Sequence, residues 1–235
     1  MNMCTFLSCN STNSFTGTDG GGAIFSNSAS LLSVTSSVFV SCLADSMGGG
    51  VFATENCQQS HLSLCRFFLC DADYGGGTST HNGPISEILS SHFISCESSE
   101  AGGGFYHNGL PDQYVKTSNC LFAHNIAHSS SRGGGGFEDG RSSKHTIQFL
   151  FSFFTANRAP TGIGNDITIH KNAVTSSPFT HCFRTSASNS FWNNGSYADY
   201  WLPLTNCKVI PFPSLATANK RYTYEHIKYD GTYYG

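Results

Sequence analysis

The chain has 235 residues, only 11% of them charged, and its formal net charge is −3. This charged fraction is well below the roughly 25% of an average globular protein. Because the net charge is negative, the chain has no basic field to attract nucleic acid, and it has no polybasic run to bind a membrane surface. No apolar stretch reaches the roughly 18 residues that a membrane-spanning helix needs. The segment from Met1 to Phe6 carries no leader signal and enters a repeat at once, so we expect a piece of a longer chain.

Clusters of glycine recur along the chain at a nearly constant spacing. Their first glycines lie 27 to 31 residues apart, and a fixed period of roughly 20–50 residues indicates a stacked repeat architecture. The clusters are Gly20–Gly22, Gly48–Gly50, Gly75–Gly77, Gly102–Gly104, Gly133–Gly136 and Gly162–Gly164.

A second motif precedes each cluster, a Phe followed three residues later by Cys or Asn. The residue two positions before the Phe is Cys or Ser, and short β-prone runs separate the motifs. The pairs are Phe6/Cys9, Phe39/Cys42, Phe67/Cys70, Phe93/Cys96, Phe122/Asn125 and Phe154/Asn157, with Phe183 opening a degenerate seventh copy.

These patterns predict an all-β chain folded as a right-handed parallel β-helix, a pectin lyase-like solenoid of about six to seven coils. No period contains the apolar i, i+3, i+4, i+7 stripe of a helix. Equivalent strands of successive coils would pair about 4.8 Å apart. We assign residues 1–190 to the β-helix and residues 191–235 to an irregular aromatic C-terminal cap or tail.

In such a fold each motif position becomes a column in the core. The Phe rings would stack along the axis, each burying roughly 150–250 Å², while Asn side chains would form a ladder and Cys would act as a compact apolar group. We favour buried thiols, and cross-coil disulfides are the alternative, because paired strands fall within the Cα spacing of a disulfide. The glycines would provide positive φ and close backbone approach, so we expect Val at Gly49 or Gly103 to impair folding.

The alternation of Phe-x-x-Asn with Gly-Gly-Ala-Ile resembles the repeats of the chlamydial polymorphic outer-membrane proteins. The segments that carry the resemblance are Gly20–Phe25, Phe122–Asn125 and Phe154–Asn157. It covers about residues 4–190, with Cys at four of the six Asn positions. The resemblance implies a β-helical surface domain that acts in adhesion.

The last stretch of the chain differs in composition. Both Trp residues, Trp192 and Trp201, and most of the Tyr residues follow residue 190. A solenoid needs atypical terminal units that protect its open edge, so we interpret this stretch as a cap. An aromatic platform for a sugar or a partner protein is the alternative.

One short segment offers the residue types of a catalytic site. Glu138, Asp139 and Arg141 place two carboxylates beside a guanidinium. The β-helical pectin lyases and polygalacturonases combine carboxylates with basic residues, so these three residues are the enzyme candidates. The comparison of these three residues with the sites of those enzymes rests on an analogy between folds.

Acidic residues and histidines near the glycine clusters are the candidates for metal binding. The acidic residues are Asp19, Asp45, Asp71 with Asp73, and Glu97 with Glu100. Stacked carboxylates can bind Ca²⁺ or act as the pair of a glycoside hydrolase, whereas solvated turn residues, which we favour, need no ligand. The His-Asn-Gly turns at His81 and His107 are 26 residues apart, which in one interpretation places two imidazoles side by side. Asn-Gly is first of all a turn signal, and a plain turn is the interpretation that we favour. The metal candidates are therefore Asp71, Asp73, His81 and His107, and nothing in the pattern requires a metal or another cofactor.

We predict a non-enzymatic, adhesin-like module at a cell surface or outside the cell, monomeric or part of a longer chain. It would present turns and sheet faces to a protein or glycan of a host or cell surface, and it would bind no nucleic acid. The expected contact loops are residues 82–87, 109–116 and 129–132, with Lys116 and Arg132 as the first residues to substitute. A carbohydrate-active enzyme, either a lyase or a hydrolase, and a fragment without separate activity are the alternatives.

Overall fold

The fold is a stack of parallel β-sheets. The structure is a computed structural model that describes residues 3–12, 20–54, 57–81, 85–109, 114–129, 134–139, 146–160, 166–170, 179–180, 182–184, 191–194 and 207–209. Within these ranges every regular element is a strand and no helix occurs. The chain is thus an all-β solenoid of about four complete turns.

From Thr5 to Leu150 each turn of the solenoid passes through four sheets, A to D, in that order. Sheet A contains β1 (Thr5–Leu7), β5 (Val38–Val40), β9 (Arg66–Phe68), β13 (His92–Ile94), β17 (Leu121–Ala123), β21 (Phe153–Thr155), β24 (Cys182–Arg184) and β26 (Cys207–Val209). Sheet B contains β2 (Asn10–Ser11), β6 (Leu43–Ala44), β10 (Asp71–Tyr74), β14 (Glu97–Ala101) and β18 (Ile126–Ala127). Sheet C contains β3 (Ile24–Ser26), β7 (Val51–Ala53), β11 (Thr78–His81), β15 (Phe105–Asn108), β19 (Phe137–Asp139), β22 (Ile167–His170) and β25 (Phe191–Asn194). Sheet D contains β4 (Leu32–Thr35), β8 (Gln59–Ser63), β12 (Ile85–Leu89), β16 (Tyr114–Ser118), β20 (Thr146–Leu150) and β23 (Phe179–Thr180).

The Phe residues of sheet A form one continuous stack in the interior. Neighbouring ring centroids are 4.6–4.9 Å apart and the ring planes differ by only 2–4°. This spacing is that of the paired strands, because each Phe lies directly opposite its equivalent in the next coil. The stacked residues are Phe6, Phe39, Phe67, Phe93, Phe122 and Phe154.

The register of the seventh copy differs from the sequence alignment by one residue. Phe183 lies opposite Phe153, and Arg184 lies opposite Phe154. The prediction that Phe183 continues the Phe column was therefore wrong. Counting residues from the previous motif therefore does not fix the pairing of this strand, because a one-residue change of register keeps the strand parallel but alters every partner.

The Asn members of the corner column bind the backbone of the preceding coil. The Asn125 side-chain oxygen accepts a hydrogen bond from the Cys96 N–H at 3.0 Å, and its Nδ2 donates to the Phe93 carbonyl at 3.0 Å. Nδ2 also donates to the Asn157 Oδ1 at 2.9 Å. The buried amides thus form a ladder that satisfies main-chain groups at the corner.

The Cys members of the same column make weaker versions of these contacts. The Cys70 thiol donates to the Phe39 carbonyl at 3.7 Å, and the backbone N–H of Cys42 faces the Cys70 sulfur. A hydrogen bond with the Cys70 thiol, followed by burial, raises the pKa of Cys42. The column therefore accepts either residue type, since both are compact and both offer a donor and an acceptor.

A second column, two residues before each Phe, alternates between Cys and Ser. The Cys65 N–H donates to the Ser91 hydroxyl at 3.1 Å, and the Cys120 thiol donates to the Ile88 carbonyl at 3.3 Å. Burial raises the pKa of Cys120 to about 12. The eight cysteines whose side chains are described are free thiols, as a ladder of buried thiols requires.

Successive glycines of a cluster have different roles. The first has positive φ, 62° at Gly48 and 63° at Gly102. The second packs against the neighbouring coil, because a Cβ on Gly49 would lie 2.3 Å from the Gly76 carbonyl oxygen, and one on Gly103 would lie 2.4 Å from the Ile126 oxygen. Positive φ and close approach are therefore both required, at adjacent residues.

Two glycine clusters align one residue later than the sequence spacing predicts. Gly20 pairs with Met47, so Gly21, with a φ of 71°, is the equivalent of Gly48. In the cluster Gly133–Gly136, Gly134 has a φ of 69° and is likewise the equivalent of Gly48. The first glycine of a run is thus not always the structurally equivalent one, because an extra glycine can extend the turn.

Sharp corners flank every described sheet A strand from β5 to β21, and non-glycine residues form them. The corner residues lie three positions before and two positions after the column Phe, with φ between 47° and 56°. This left-handed conformation costs an L-residue about 1–2 kcal/mol. They are Ser36, Leu64, Ser90, Asn119 and Phe151 before the Phe, and Ser8, Ser41, Leu69, Ser95, His124 and Ala156 after it.

Candidate binding groove

Residues at one outward position of sheet D form a row along the solenoid. They lie six residues before the column Phe of each coil, in strands whose neighbouring residues point into the core. The pairing register places each member directly opposite the next. This charged row consists of Ser33, His61, Glu87, Lys116 and Gln148.

Glu87 lies at the centre of the charged row, between two basic side chains. Its carboxylate is 3.6 Å from His61 Nδ1 on one side and 3.7 Å from Lys116 Nζ on the other. The three side chains are each about one third exposed. These separations are those of loose ion pairs, and partly exposed pairs add little to stability.

Tyr114 is the one residue that makes a hydrogen bond of ordinary length to the Glu87 carboxylate among the described contacts. Its phenol donates to Glu87 Oε1 at 3.2 Å. Burial, and then the negative charge of Glu87, raises the pKa of Tyr114. The phenol therefore stays protonated at neutral pH and holds the ring beside the carboxylate.

A groove with a volume of about 270 Å³ runs across this face. Its described lining consists of Leu31, Ser33, Gln59, Ser60, His61, Glu87 and Tyr114, and we call it the sheet D groove. Leu31 is 53% exposed, so an apolar side chain, a phenol ring, a carboxylate and neutral polar groups share one concave surface. Sites for small molecules combine apolar walls with a few convergent polar groups in this way.

The predicted catalytic residues lie elsewhere. Glu138 and Asp139 belong to β19 of sheet C, where they pair with Tyr106 and His107. Arg141 lies outside the described residues. The sheet D groove therefore does not include the candidate carboxylates that the sequence indicated.

The predicted acidic metal ligands lie on sheet B. Asp71 is opposite Glu97 in the adjacent strand, and burial, followed by the charge of Glu97, raises its pKa. Asp73 accepts a hydrogen bond from Ser99, and Glu97 is 3.3 Å from His128 Nε2. Asp19 lies outside the described residues.

The two histidines of the His-Asn-Gly turns are not side by side. Their strands pair with an offset of 27 residues, so His81 lies opposite Asn108 and His107 lies opposite Thr80. His107 is buried, with its Nδ1 2.7 Å from the Thr80 hydroxyl, while the Asn108 amide donates to His81 at 3.2 Å. The prediction of adjacent imidazoles was wrong, because the motif spacing of 26 residues is one short of the coil at this sheet. Across the ranges that the structure covers, no set of three or more His, Cys, Asp or Glu side chains is placed to hold a metal ion.

Two of the predicted contact loops, residues 82–87 and 109–116, are in part strands. Lys116 lies inside β16 and Glu87 inside β12, and the two residues pair directly. Residues 82–84, 110–113 and 130–133, including Arg132, lie outside the described part of the chain, as do Trp201 and most of the predicted cap. Lys116 therefore acts as part of a sheet face, because its run continues the alternation of outward and inward side chains.

Sequence analysis missed the charged row because its members share no residue type. Ser, His, Glu, Lys and Gln occupy the equivalent position in consecutive coils. The signal that finds them is their constant distance of six residues before the column Phe.

No family model, curated protein or solved structure matches this chain. Among the residues that can be described, none belongs to a helix long and apolar enough to cross a bilayer.

Proposed function

We propose that this chain is a non-enzymatic, adhesin-like module at a cell surface or outside the cell, and that the sheet D groove is its contact site. In this proposal the solenoid is a right-handed, pectin lyase-like β-helix of six to seven coils, and residues 191–235 cap it. The resemblance of its repeats to those of the chlamydial polymorphic outer-membrane proteins supports this role.

The observation that carries the proposal is the incomplete pairing of the Glu87 carboxylate. From the residues that the structure describes it accepts one hydrogen bond, that of Tyr114, and its two basic neighbours are 3.6 and 3.7 Å away. An ionised carboxylate offers about four acceptor sites. Glu87 and Lys116 therefore present unused acceptors and donors on an outward face, as a contact surface requires.

The test is binding of the purified chain to cells that carry the target surface. The groove variants are Glu87→Gln, in the lining, and Lys116→Gln, next to it and 3.7 Å from Glu87. The matched control is Glu97→Gln, since Glu97 is an outward glutamate of the neighbouring coil that also pairs with a histidine, but on sheet B. We expect both groove variants to reduce cell binding and the control to retain it. Equal binding by all four proteins would refute the groove as the contact site.

A carbohydrate-active enzyme is the competing function, and the groove distinguishes it from a binding module. Canonical glycoside hydrolysis uses two carboxylates roughly 5–9.5 Å apart, whereas the described lining of the sheet D groove includes one, Glu87. We expect no turnover when the chain is incubated with acidic and neutral polysaccharides, with and without Ca²⁺. Turnover that Glu87→Gln, or substitution of Glu138 or Asp139, abolishes would establish the enzyme instead.

A further inference from the structure

We propose that the sheet D groove binds a neutral oligosaccharide, with its hydroxyl groups shared between Glu87 in the groove and Lys116 beside it. This inference rests on the proposed function and names the chemical class of the ligand. It is carried by the alternation of charge along the row, by the unused hydrogen-bonding capacity of Glu87 and by the apolar groups beside it.

The alternation of charge selects against ionic ligands. Lys116 and Glu87 carry opposite charges and are 3.7 Å apart, so a ligand carboxylate or sulfate attracted by one is repelled by the other at nearly the same distance. A ligand amine is attracted by Glu87 and repelled by Lys116, and the His61 ring lies on the other side of Glu87. A hydroxyl group donates to Glu87 and accepts from Lys116, so it gains from both.

The remaining polar groups of the groove suit the same chemistry. Ser33 and Gln59 are exposed and each can both donate and accept. They lie on adjacent strands, one coil apart, but Gln59 is two residues before His61, the residue opposite Ser33. Diagonal neighbours of this kind are roughly 7–8 Å apart. A linear ligand with hydroxyl groups at similar intervals matches this series.

Two apolar groups provide a surface for the carbon-bound hydrogens of a sugar ring. Tyr114 is held beside Glu87 by its 3.2 Å hydrogen bond, and Leu31 is 53% exposed. An aromatic ring with a fixed polar tip offers contact area at little entropic cost. The volume of about 270 Å³ lies near the lower end of small-molecule sites, roughly 300–1,000 Å³, and suits a short segment of a glycan.

The experiment measures binding of the full chain to three sets of tri- to hexasaccharides: neutral hexoses, uronic acids and glucosamines. Glu87→Gln removes the charged acceptor with little change of shape, and Tyr114→Phe removes only the phenol oxygen. Glu97→Gln on sheet B has the same change of charge and is the control, and far-UV circular dichroism with a thermal unfolding curve checks the fold of each variant.

We expect a member of the neutral set to bind, with affinity at least about 10-fold lower in Glu87→Gln, since a hydrogen bond to a charged group is lost. Tyr114→Phe should weaken binding less, and Glu97→Gln should leave it within about 2-fold. Binding of only the acidic or only the amino set would overturn the inference, as would neutral-sugar binding that Glu87→Gln leaves unchanged. If no sugar binds while cell binding still depends on Glu87, the neutral-glycan inference fails and the proposed contact site stands.

Discussion

Replacing Asn125 by Ala tests whether the amide ladder holds successive coils together. The substitution removes the acceptor of the Cys96 N–H and the donor to the Phe93 carbonyl, both at 3.0 Å and both buried. A buried group left without its partner costs about 1–3 kcal/mol, so the two together predict a loss of about 2–6 kcal/mol in the free energy of unfolding. Asn157 keeps the hydrogen bond that its Oδ1 accepts from the Asn125 N–H, because alanine retains that group.

Asn125→Cys is the matched variant, since Cys96 occupies the same column one coil earlier. A thiol is a weaker donor and acceptor than an amide, but it fills part of the space, so we expect about half the loss seen with alanine. Urea unfolding followed by far-UV circular dichroism measures both values, and an unchanged m-value shows that the comparison concerns stability. A loss below about 1 kcal/mol for alanine, or equal losses for both variants, would refute the role of the ladder.

Three further predictions concern the corners, the glycines and the thiols. Leu69→Asn should stabilise the chain by about 0.5–1 kcal/mol, because asparagine tolerates the left-handed conformation of this corner better than leucine does. The control is Leu43→Asn, at an exposed position of ordinary φ, which should not stabilise the chain. Urea unfolding midpoints compare the two variants, and equal shifts would contradict the strain at Leu69. Gly49→Val should cost more than about 4 kcal/mol or prevent folding, because its Cβ would lie 2.3 Å from a backbone oxygen; a soluble variant with the parental melting temperature would contradict this. Burial raises the pKa of Cys120 to about 12, above the roughly 8.5 of an unfolded thiol. The contribution of this buried thiol to the free energy of unfolding is therefore complete below about pH 8.5 and is lost as the pH rises towards 12. Melting temperatures between pH 8 and 11 should therefore fall, and less steeply for Cys120→Ser, which carries the natural residue of the column at Ser91; parallel slopes would show that this thiol is not the cause.

The solenoid could be predicted from the sequence because its interior repeats the same chemistry in every coil. Phe39, Phe67 and Phe93 stand at equivalent positions, and their alignment alone indicates the stacked strands that the register shows. The local shifts could not be predicted in the same way. His81 and His107 are one residue away from pairing, since the length of a coil at a given sheet depends on how each turn is built.

The corners escaped prediction for a different reason. Positive φ is expected at Gly or Asn, yet Leu64, Leu69 and Phe151 adopt it because the packed strands on either side fix the path of the chain. The groove escaped because its row carries a different residue in each coil. A position that varies gives no motif, although its distance from the column Phe is constant.

The separation of repeating columns inside from a changing row outside has a consequence for how such a molecule can diversify. Ser33, His61, Glu87, Lys116 and Gln148 stand on strands whose inward neighbours are buried, and none of the five contributes to the stacked interior. A combinatorial library that randomised these five codons would sample new recognition surfaces on an unaltered scaffold. Natural mutations at the same sites would change which partners the protein binds, at no cost in folding stability.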